Sequence, residues 1–500
     1  MLRALFCLCL LVPLRATTFY VSSSSGDDGN AGTSPSSAWA TLQRASAAAA
    51  SLGAGDALLL LRGDEWTLST AWFLSGLSGS AAAPITLGAY GAASQRPLLR
   101  RAAGAAAGPT LTIDNSSGVA VSGLAVLGGE NGVCFTHDLR PGESESVYDA
   151  LSVTDCAFAG VRGLHYNASS GSWWGSAIAV AARHAGVVLT SVNISNNLCN
   201  DSDTFYINSV PYAGFTRSYV SGLTVAANTI THASYNTLFL DTTSHVAVAG
   251  NVFAHNTPAQ LFVAGTTDVI MGAVNASVVL SGNEFSYRGE FQPGGPDGCA
   301  IDFETAANGT QFSDNYVYKS FGAGIMVFGH ATTSVNLVIA DNTMLYNGCG
   351  QTRDDHGGIA FMFRNSSGRI QNNTFATCPG TDVFFERVPG AAAGWTFADN
   401  AIDGVNGTAV VVLEPPAVTA GAGAGGGIEL RASCAQGELR FTVDGSRPRG
   451  DAPTWPAAGS LTLPPRTVAV NAKCFPSAQA AAGGRLLVES PVGGGIFAPQ

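Results

Sequence analysis

Residues 283 to 328 hold one complete copy of a pattern that runs through most of the chain. Asn283 opens a short turn, and Ile301, Asp302, Phe303 and Glu304 then alternate apolar and acidic. Asn315 opens the next turn, and Ile325, Met326, Val327 and Phe328 repeat the strand. Period-two alternation marks a strand with one face buried. The same landmarks, an Asn with an apolar residue two places on and then a short apolar strand, recur at Asn197, Asn228, Asn251, Asn283, Asn315, Asn342, Asn373 and Asn400, at intervals of 23 to 32 residues. Such spacing marks a solenoid in which each repeat stacks on the last. The repeats carry strands, so the fold class is all-β and the unit is one coil of a parallel β-helix.

Counting from each Asn to the first inward residue of its strand separates two kinds of coil. Leu238, Leu261, Ile325, Val383 and Val410 each lie ten residues after their Asn, whereas Ile301 lies eighteen after Asn283 and Ile359 seventeen after Asn342. Two coils therefore carry inserted loops just before the same strand, and long loops on a rigid scaffold tend to carry function. The Asn series itself reads as structural. Stacked inward Asn side chains would hydrogen-bond one another and the backbone coil by coil.

Residues 1–16 begin with Arg3 and the apolar run ALFCLCLLVPL, which fits a secretory signal peptide too short to span a membrane. No later stretch is apolar enough to cross a bilayer. Sequons such as Asn193, Asn275 and Asn365 agree with export. The expectation is a secreted, extracellular monomer. Charged residues make up 12% and Gly 61 of 500 positions, as many short buried strands and tight turns require. The net charge of −11 argues against nucleic acid as a partner. It also disfavours a polyanionic substrate unless cations bridge the two.

The stretch 18–66 has a Tyr-Val-Ser strand, a Gly/Asp/Asn/Pro turn region, Trp39-x-Thr41-Leu42 opening a helix, and Gly63-Asp64. It resembles the start of the pectate-lyase-like right-handed parallel β-helix superfamily. The resemblance extends over most of 18–414 and implies a right-handed β-helix (71–414) behind an N-terminal strand and capping helix (17–70). Trp39 to Leu52 reads as an Ala-rich helix able to plug the open end of the solenoid. Strands in 71–150 fall at Ile85 to Leu87, Leu111 to Ile113 and Val119 to Val126, with the register open. Residues 415–427 read as a Pro/Gly/Ala linker. Beyond it, 428–500 holds a Thr-Val-Asp-Gly-Ser-x-Pro turn at Thr442 to Pro448 and alternating Val468 and Val470. That run resembles the small C-terminal β-sandwich of chitobiases and related hexosaminidases, modules that accompany carbohydrate-active enzymes.

Eight cysteines remain beyond the signal, with no C-x-x-C zinc spacing. Cys156, Cys199 and Cys299 read as small core residues. Cys349 with Cys378, and Cys434 with Cys474, are pairings that an oxidising compartment permits.

If Ile301 and Phe303 point inward, Asp302 and Glu304 point outward, about 6.5 to 7 Å apart at the backbone. The outward columns then read Phe239, Phe262, Asp302, Met326, Ala360 and Phe384, and Asp241, Ala264, Glu304, Phe328, Met362 and Glu386. An acidic pair on an apolar face between two inserted loops suggests a groove that takes sugar rings. Asp302 and Glu304 fit the acid and base of glycoside hydrolysis, although a solvated outer-face pair is the plainer alternative. His356 joins them as a candidate catalytic group. Asp297, Lys319, Arg353, Asp354, Asp355, Trp174 and Asp241 are candidate substrate-binding residues. Trp174 could instead pack beneath a loop, and Arg353 to His356 could be an ordinary polar turn. The reaction requires no cofactor and no metal ligand is assigned, though the acidic loop could hold Ca²⁺.

The expected function is a secreted glycoside hydrolase acting on a polysaccharide or other glycan. One alternative is a polysaccharide lyase or uronate epimerase with Lys319 or His356 as base, Ca-assisted. Another is a non-catalytic glycan-binding or cell-surface protein.

Overall fold

The computed structural model describes residues 16–105, 108–162, 176–184, 186–202, 205–209, 220–233, 237–240, 243–256, 269–271, 276–289, 298–303, 307–328, 334–349, 356–404, 410–423, 428–435, 437–444, 446–457, 459–463, 468–476 and 486–497. Its larger part is a right-handed parallel β-helix of three sheets. Among the described residues the first sheet has 13 strands, from Thr18–Val21 to Trp395–Ala398. The second has 12, from Glu65–Leu68 to Ala401–Ile402, and the third 11, from Trp72–Ser75 to Phe384–Glu386. Each strand pairs in parallel with its equivalents one coil away, so alternate side chains fall into inward columns. Ile301, Ile325 and Ile359 stack in one such column, and Phe253 stacks on Phe285 at 5.0 Å.

The Asn series forms the ladder its spacing suggests. In each coil from Asn197 to Asn373, the backbone N–H and Nδ2 donate to Oδ1 of the next Asn, as Asn251 does to Asn283 at 3.0 and 2.9 Å. Nδ2 also donates to a first-sheet carbonyl, as that of Asn283 does to Val248 at 2.9 Å. Cys156 heads the ladder, its N–H donating to Asn197 Oδ1. Every donor at this buried turn thus meets an acceptor that the stack itself supplies.

The capping helix runs over Leu42–Ala49, shorter than the sequence suggests, and buries Leu42, Ala45 and Ala49. Its Thr41 cap accepts the Arg44 N–H, and the Asp28 carboxylate accepts from Ala40, Thr41 and the Thr41 hydroxyl. Those bonds satisfy the first turn, where amides lack intrahelical partners. Residues 1–15 of the expected signal lie outside the described residues.

Three register expectations change. The strand after Asn251 is Val269–Met271, in register with Leu238–Leu240, so this coil too carries an insertion and Ile270 replaces Phe262 beside Asp302. Its sequence holds two apolar runs and alternation alone does not choose between them. Phe384, not Val383, aligns with Ile359, and Phe385 aligns with Ala360, because Val383, Phe384 and Phe385 are all apolar and give no parity. Val410–Val412 leaves the solenoid and pairs with Leu486–Val488.

Ala417–Ala422, within the expected linker, is a strand antiparallel to Ile428–Ser433. Backbone pairing needs no side chain, so an Ala/Gly run can complete a sheet. The C-terminal unit is two three-stranded antiparallel sheets around Leu430, Trp455, Val470 and Ala472. Cys434–Cys474 and Cys349–Cys378 are disulfide-bonded, while Cys134, Cys156, Cys199 and Cys299 are buried thiols.

Candidate functional site

The third sheet positions the site. Asp302 sits in the strand Ile301–Phe303, between two inward residues that belong to the main core. Its side chain therefore points to the outer face, yet it is 0% exposed. Register places Met326 beside it, then Ala360, then Phe385. Cys299, Ala323, Met326, Ala360 and Met362 form a separate buried cluster on this outer face, with Phe328, Phe363 and Phe385 packed against it. Cys299 thus belongs to the outer cluster and not to the solenoid interior, where its position in the repeat suggested it would lie. The outer face is apolar, as expected, and is covered where the sequence suggested an open groove.

His356 precedes the strand Ile359–Phe361 and is half-buried, its ring 4.3 Å from that of Phe385. It belongs to the coil two steps from Asp302, roughly 10 Å along the axis. Its neighbour Gly357 has φ +93°, and a Cβ there would lie 2.1 Å from the Asp382 carbonyl oxygen. At Gly348, with φ +74°, a Cβ would lie 2.4 Å from the Gly357 N and 2.8 Å from the His356 Cα. The two described ends of the second insertion therefore meet at glycines that admit no side chain. Its stem is tied by the Cys349–Cys378 disulfide.

Lys319 lies elsewhere. It occupies the turn between the second and third sheets at φ +53°, exposed, with Nζ 5.0 Å from the Tyr318 ring and 6.0 Å from that of Tyr287. Burial pushes the Tyr287 hydroxyl up to about 12, with Tyr318 and Glu284 adding to the shift. Glu304, Asp297, Arg353, Asp354, Asp355, Trp174 and Asp241 lie outside the described residues. The structure thus brings Asp302 and His356 to one face and sets Lys319 at the preceding turn.

Sequence reasoning missed two polar constellations. On the N-terminal part of the third sheet, Arg183 pairs with Asp114 and, at 2.8 Å, with Asp138, which also holds His184 at 3.1 Å. Thr136 donates to Asp114 at 2.7 Å. The open register of 71–150 hid that Asp114 and Thr136 stand on adjacent strands. Between the solenoid and the C-terminal unit, Lys473, Glu284, Glu489 and Arg447 form a buried ion cluster. A lysine within the alternating strand Val468–Phe475 was its only local signal.

The comparisons with known proteins agree with this architecture. A family model for the right-handed beta helix region matches residues 111–344. A lacto-N-biosidase of Bifidobacterium longum subsp. longum is 44% identical over 79 residues, which are 16% of this chain and 5% of that protein. The native structure of a GH136 lacto-N-biosidase from Eubacterium ramulus superposes with a TM-score of 0.58 at 15% identity, covering 77% of this chain and 67% of that one. An alginate lyase from a Paenibacillus strain covers 77% of this chain and 99% of its own at 11% identity and a TM-score of 0.41. The fold is that of the right-handed parallel β-helix proteins.

Proposed function

We propose that this chain is a glycoside hydrolase that cleaves a polysaccharide or oligosaccharide at the outer face of the third sheet. The observation that carries the reading is Asp302, a carboxyl group 0% exposed in an otherwise apolar column. A carboxyl group shut off from water among Met and Phe side chains is in the setting that general acids of glycosidases use. The likeness over 79 residues to a lacto-N-biosidase supports this choice of reaction class.

In this reading Asp302 donates its proton to the glycosidic oxygen as the bond to the anomeric carbon breaks. Glu304, two positions on in sequence, attacks that carbon or takes the proton of the water that adds to it. Met326, Met362 and Phe328 offer apolar contact to the sugar ring. His356, held against Phe385, lies along the same face for hydrogen bonds to hydroxyls. Asp297, Arg353, Asp354, Asp355, Trp174, Asp241 and Lys319 are assigned to glycan binding around it. Substrate must displace the groups now covering Asp302. The protein acts after export, without a cofactor.

The test is to incubate the purified chain with neutral and acidic glycans, including a chromogenic lacto-N-bioside, following new reducing ends and unsaturated-uronate absorbance together. Reducing ends without absorbance, abolished in a folded Asp302→Asn variant, are expected. Activity that survives Asp302→Asn, or absorbance rising with the reducing ends, would overturn the assignment.

A further inference from the structure

Among the described residues, two turns of most coils hold a residue in the left-handed region, and the two are filled differently. At the turn from the first to the second sheet the position is taken by Asp155, Asn196, Ala227, Gly250, Gly282, Asp314, Asp341, Asn372 and Asp399. These are mostly the small or polar residues that tolerate positive φ. At the turn from the second to the third sheet the series begins the same way, with Gly128, Gly160 and Asp201. It then becomes His232, His255, Tyr287, Lys319 and Tyr346, at φ between +53° and +58°. The positions are equivalent, since the backbone N–H of Gly128, Asp201, His255, Tyr287, Lys319 and Tyr346 donates to the neighbouring coil in the same way, His255 to Ser286 and Tyr287 to Tyr318. Large side chains here are unfavourable for the backbone. Tyr287 and Tyr346 gain packing against Tyr316, Tyr318, Leu345 and Val488, but folding does not account for the exposed His232, His255 and Lys319.

The rings make a continuous column along the solenoid axis. His232 stacks on His255 at 6.0 Å and His255 on Tyr287 at 4.7 Å with planes 5° apart. Tyr318 continues the column towards Tyr346, and the Lys319 ammonium rides over Tyr318. His232, His255 and Lys319 are exposed, and Tyr287 and Tyr346 are half-buried. Stacking hides the facing ring surfaces of His232, His255 and Tyr287, whereas Tyr318 meets Tyr287 and Tyr346 edge-on. His232 Nδ1 bonds Asn200 Oδ1 at 3.1 Å, which leaves Nε2 as its outward edge atom. The result is one hydrogen-bonding tip per coil, repeating about every 4.8 Å, close to the rise per sugar of an extended glycan chain. The column also leads into the candidate site: in sequence, the residues after His255, Tyr287 and Tyr346 begin the insertions that precede Val269–Met271, Ile301–Phe303 and Ile359–Phe361, the strands that carry the Asp302 column.

We infer that the column His232, His255, Tyr287, Lys319 and Tyr346 is a binding strip for an extended, hydroxyl-rich glycan chain lying along the solenoid axis, feeding the site at Asp302. The inference rests on the glycan reading above. It predicts that affinity grows with chain length, because each further sugar meets a further coil.

The experiment is calorimetric titration of the whole chain with di-, tetra- and hexasaccharides of β-linked galactose and N-acetylglucosamine, in the cold so that turnover is negligible. Wild-type protein should bind the hexasaccharide roughly tenfold or more tighter than the disaccharide. The His232→Ala/His255→Ala and His232→Phe/His255→Phe variants should lose that gain while melting as wild type does. The Phe pair preserves a ring stack and removes the nitrogen tips, so a Phe variant that keeps the full gain would reduce the column to a packing device and overturn the strip. Equal affinity for all three lengths would overturn it as well. Length-dependent binding with no hydrolysis of any glycan would leave the strip standing and remove the hydrolase reading. Hydrolysis without length dependence would do the reverse.

Discussion

The Lys473 Nζ lies 2.8 Å from Glu284 Oε2, with both side chains 0% exposed, and this contact joins the C-terminal unit to the second sheet of the solenoid. The ammonium also meets Glu489 at 3.0 Å and sits 3.8 Å from the centre of the Tyr316 ring. Glu284 accepts the Val492 N–H through its other oxygen, and Arg447 pairs with Glu489 while donating to the Asp314 carbonyl at 2.8 Å. Every charge in the cluster is thus paired. Removing one partner strands the others, at about 3–5 kcal/mol for a buried pair. Lys473→Met should therefore destabilise the chain by about that much in chemical denaturation, and Lys473→Met/Glu284→Gln by less than the sum of the two single changes. Additive losses would show that the contact carries no coupling.

Acid should weaken the fold in two steps. Burial holds His137 down to about 4, its Nε2 bonded to the Ser116 carbonyl at 2.9 Å. A depressed histidine binds fewer protons folded than unfolded, so its contribution is complete above about pH 6.5 and is lost as pH falls towards 4, about 3 kcal/mol in all. His255 is lowered too, by the partial desolvation of its ring between His232 and Tyr287 and by the charge of His232, with the same sign. For Glu489 burial alone would raise the carboxyl, but Lys473 and Arg447 outweigh it and bring it to about 2. Its contribution is complete above about pH 4.5 and lost as pH falls towards 2, again about 3 kcal/mol. Melting curves across pH 7 to 3 should show the first loss diminished in a folded His137→Gln variant. An unchanged pH profile there would refute the assignment.

The Asn ladder predicts a cost that depends on position. Asn283 sits mid-stack, accepting two bonds from Asn251 and giving two to Asn315. Asn283→Ala strands the buried donors of Asn251, about 2–4 kcal/mol at roughly 1–3 kcal/mol per orphaned group. Asn400, at the end of the described ladder and only partly buried, should cost about half as much when changed to Ala. Equal losses in thermal denaturation would mean that the stack does not act as a chain.

How much of this was legible in the sequence depended on whether a residue's environment is local. The ladder could be read because an Asn, an apolar residue two places on and a short strand recur within each coil. The strand after Asn251 could not be placed, since two apolar runs compete and only pairing with Leu238–Leu240 and Ile301–Phe303 selects the second. Asp302 announced itself by alternation. Its burial did not, because the outer-face cluster around it draws Met326, Ala360, Met362 and Phe385 from the following coils. The Glu284–Lys473 contact spans 189 positions, and no local pattern in either strand encodes it.

Gly357 links the backbone of the second inserted loop to the proposed chemistry. Its φ is +93°, and a methyl group on its Cα would come within 2.1 Å of the Asp382 carbonyl oxygen, which leaves no room for a side chain. Its own carbonyl accepts the Gly324 N–H at 3.1 Å, two residues before Met326 enters the Asp302 column. Gly357→Ala must therefore shift either the Asp382 strand entry or the turn that carries His356. The strain should cost about 1–3 kcal/mol and lower kcat/KM more than the drop in melting temperature accounts for, because His356 moves with it. Gly380→Ala is the control, also at positive φ (+84°) but with nothing within 4 Å of the added methyl. It should share the backbone penalty and leave kcat/KM near wild type. Equal kinetic losses in the two variants would show that the close approach at Gly357 has no bearing on the site.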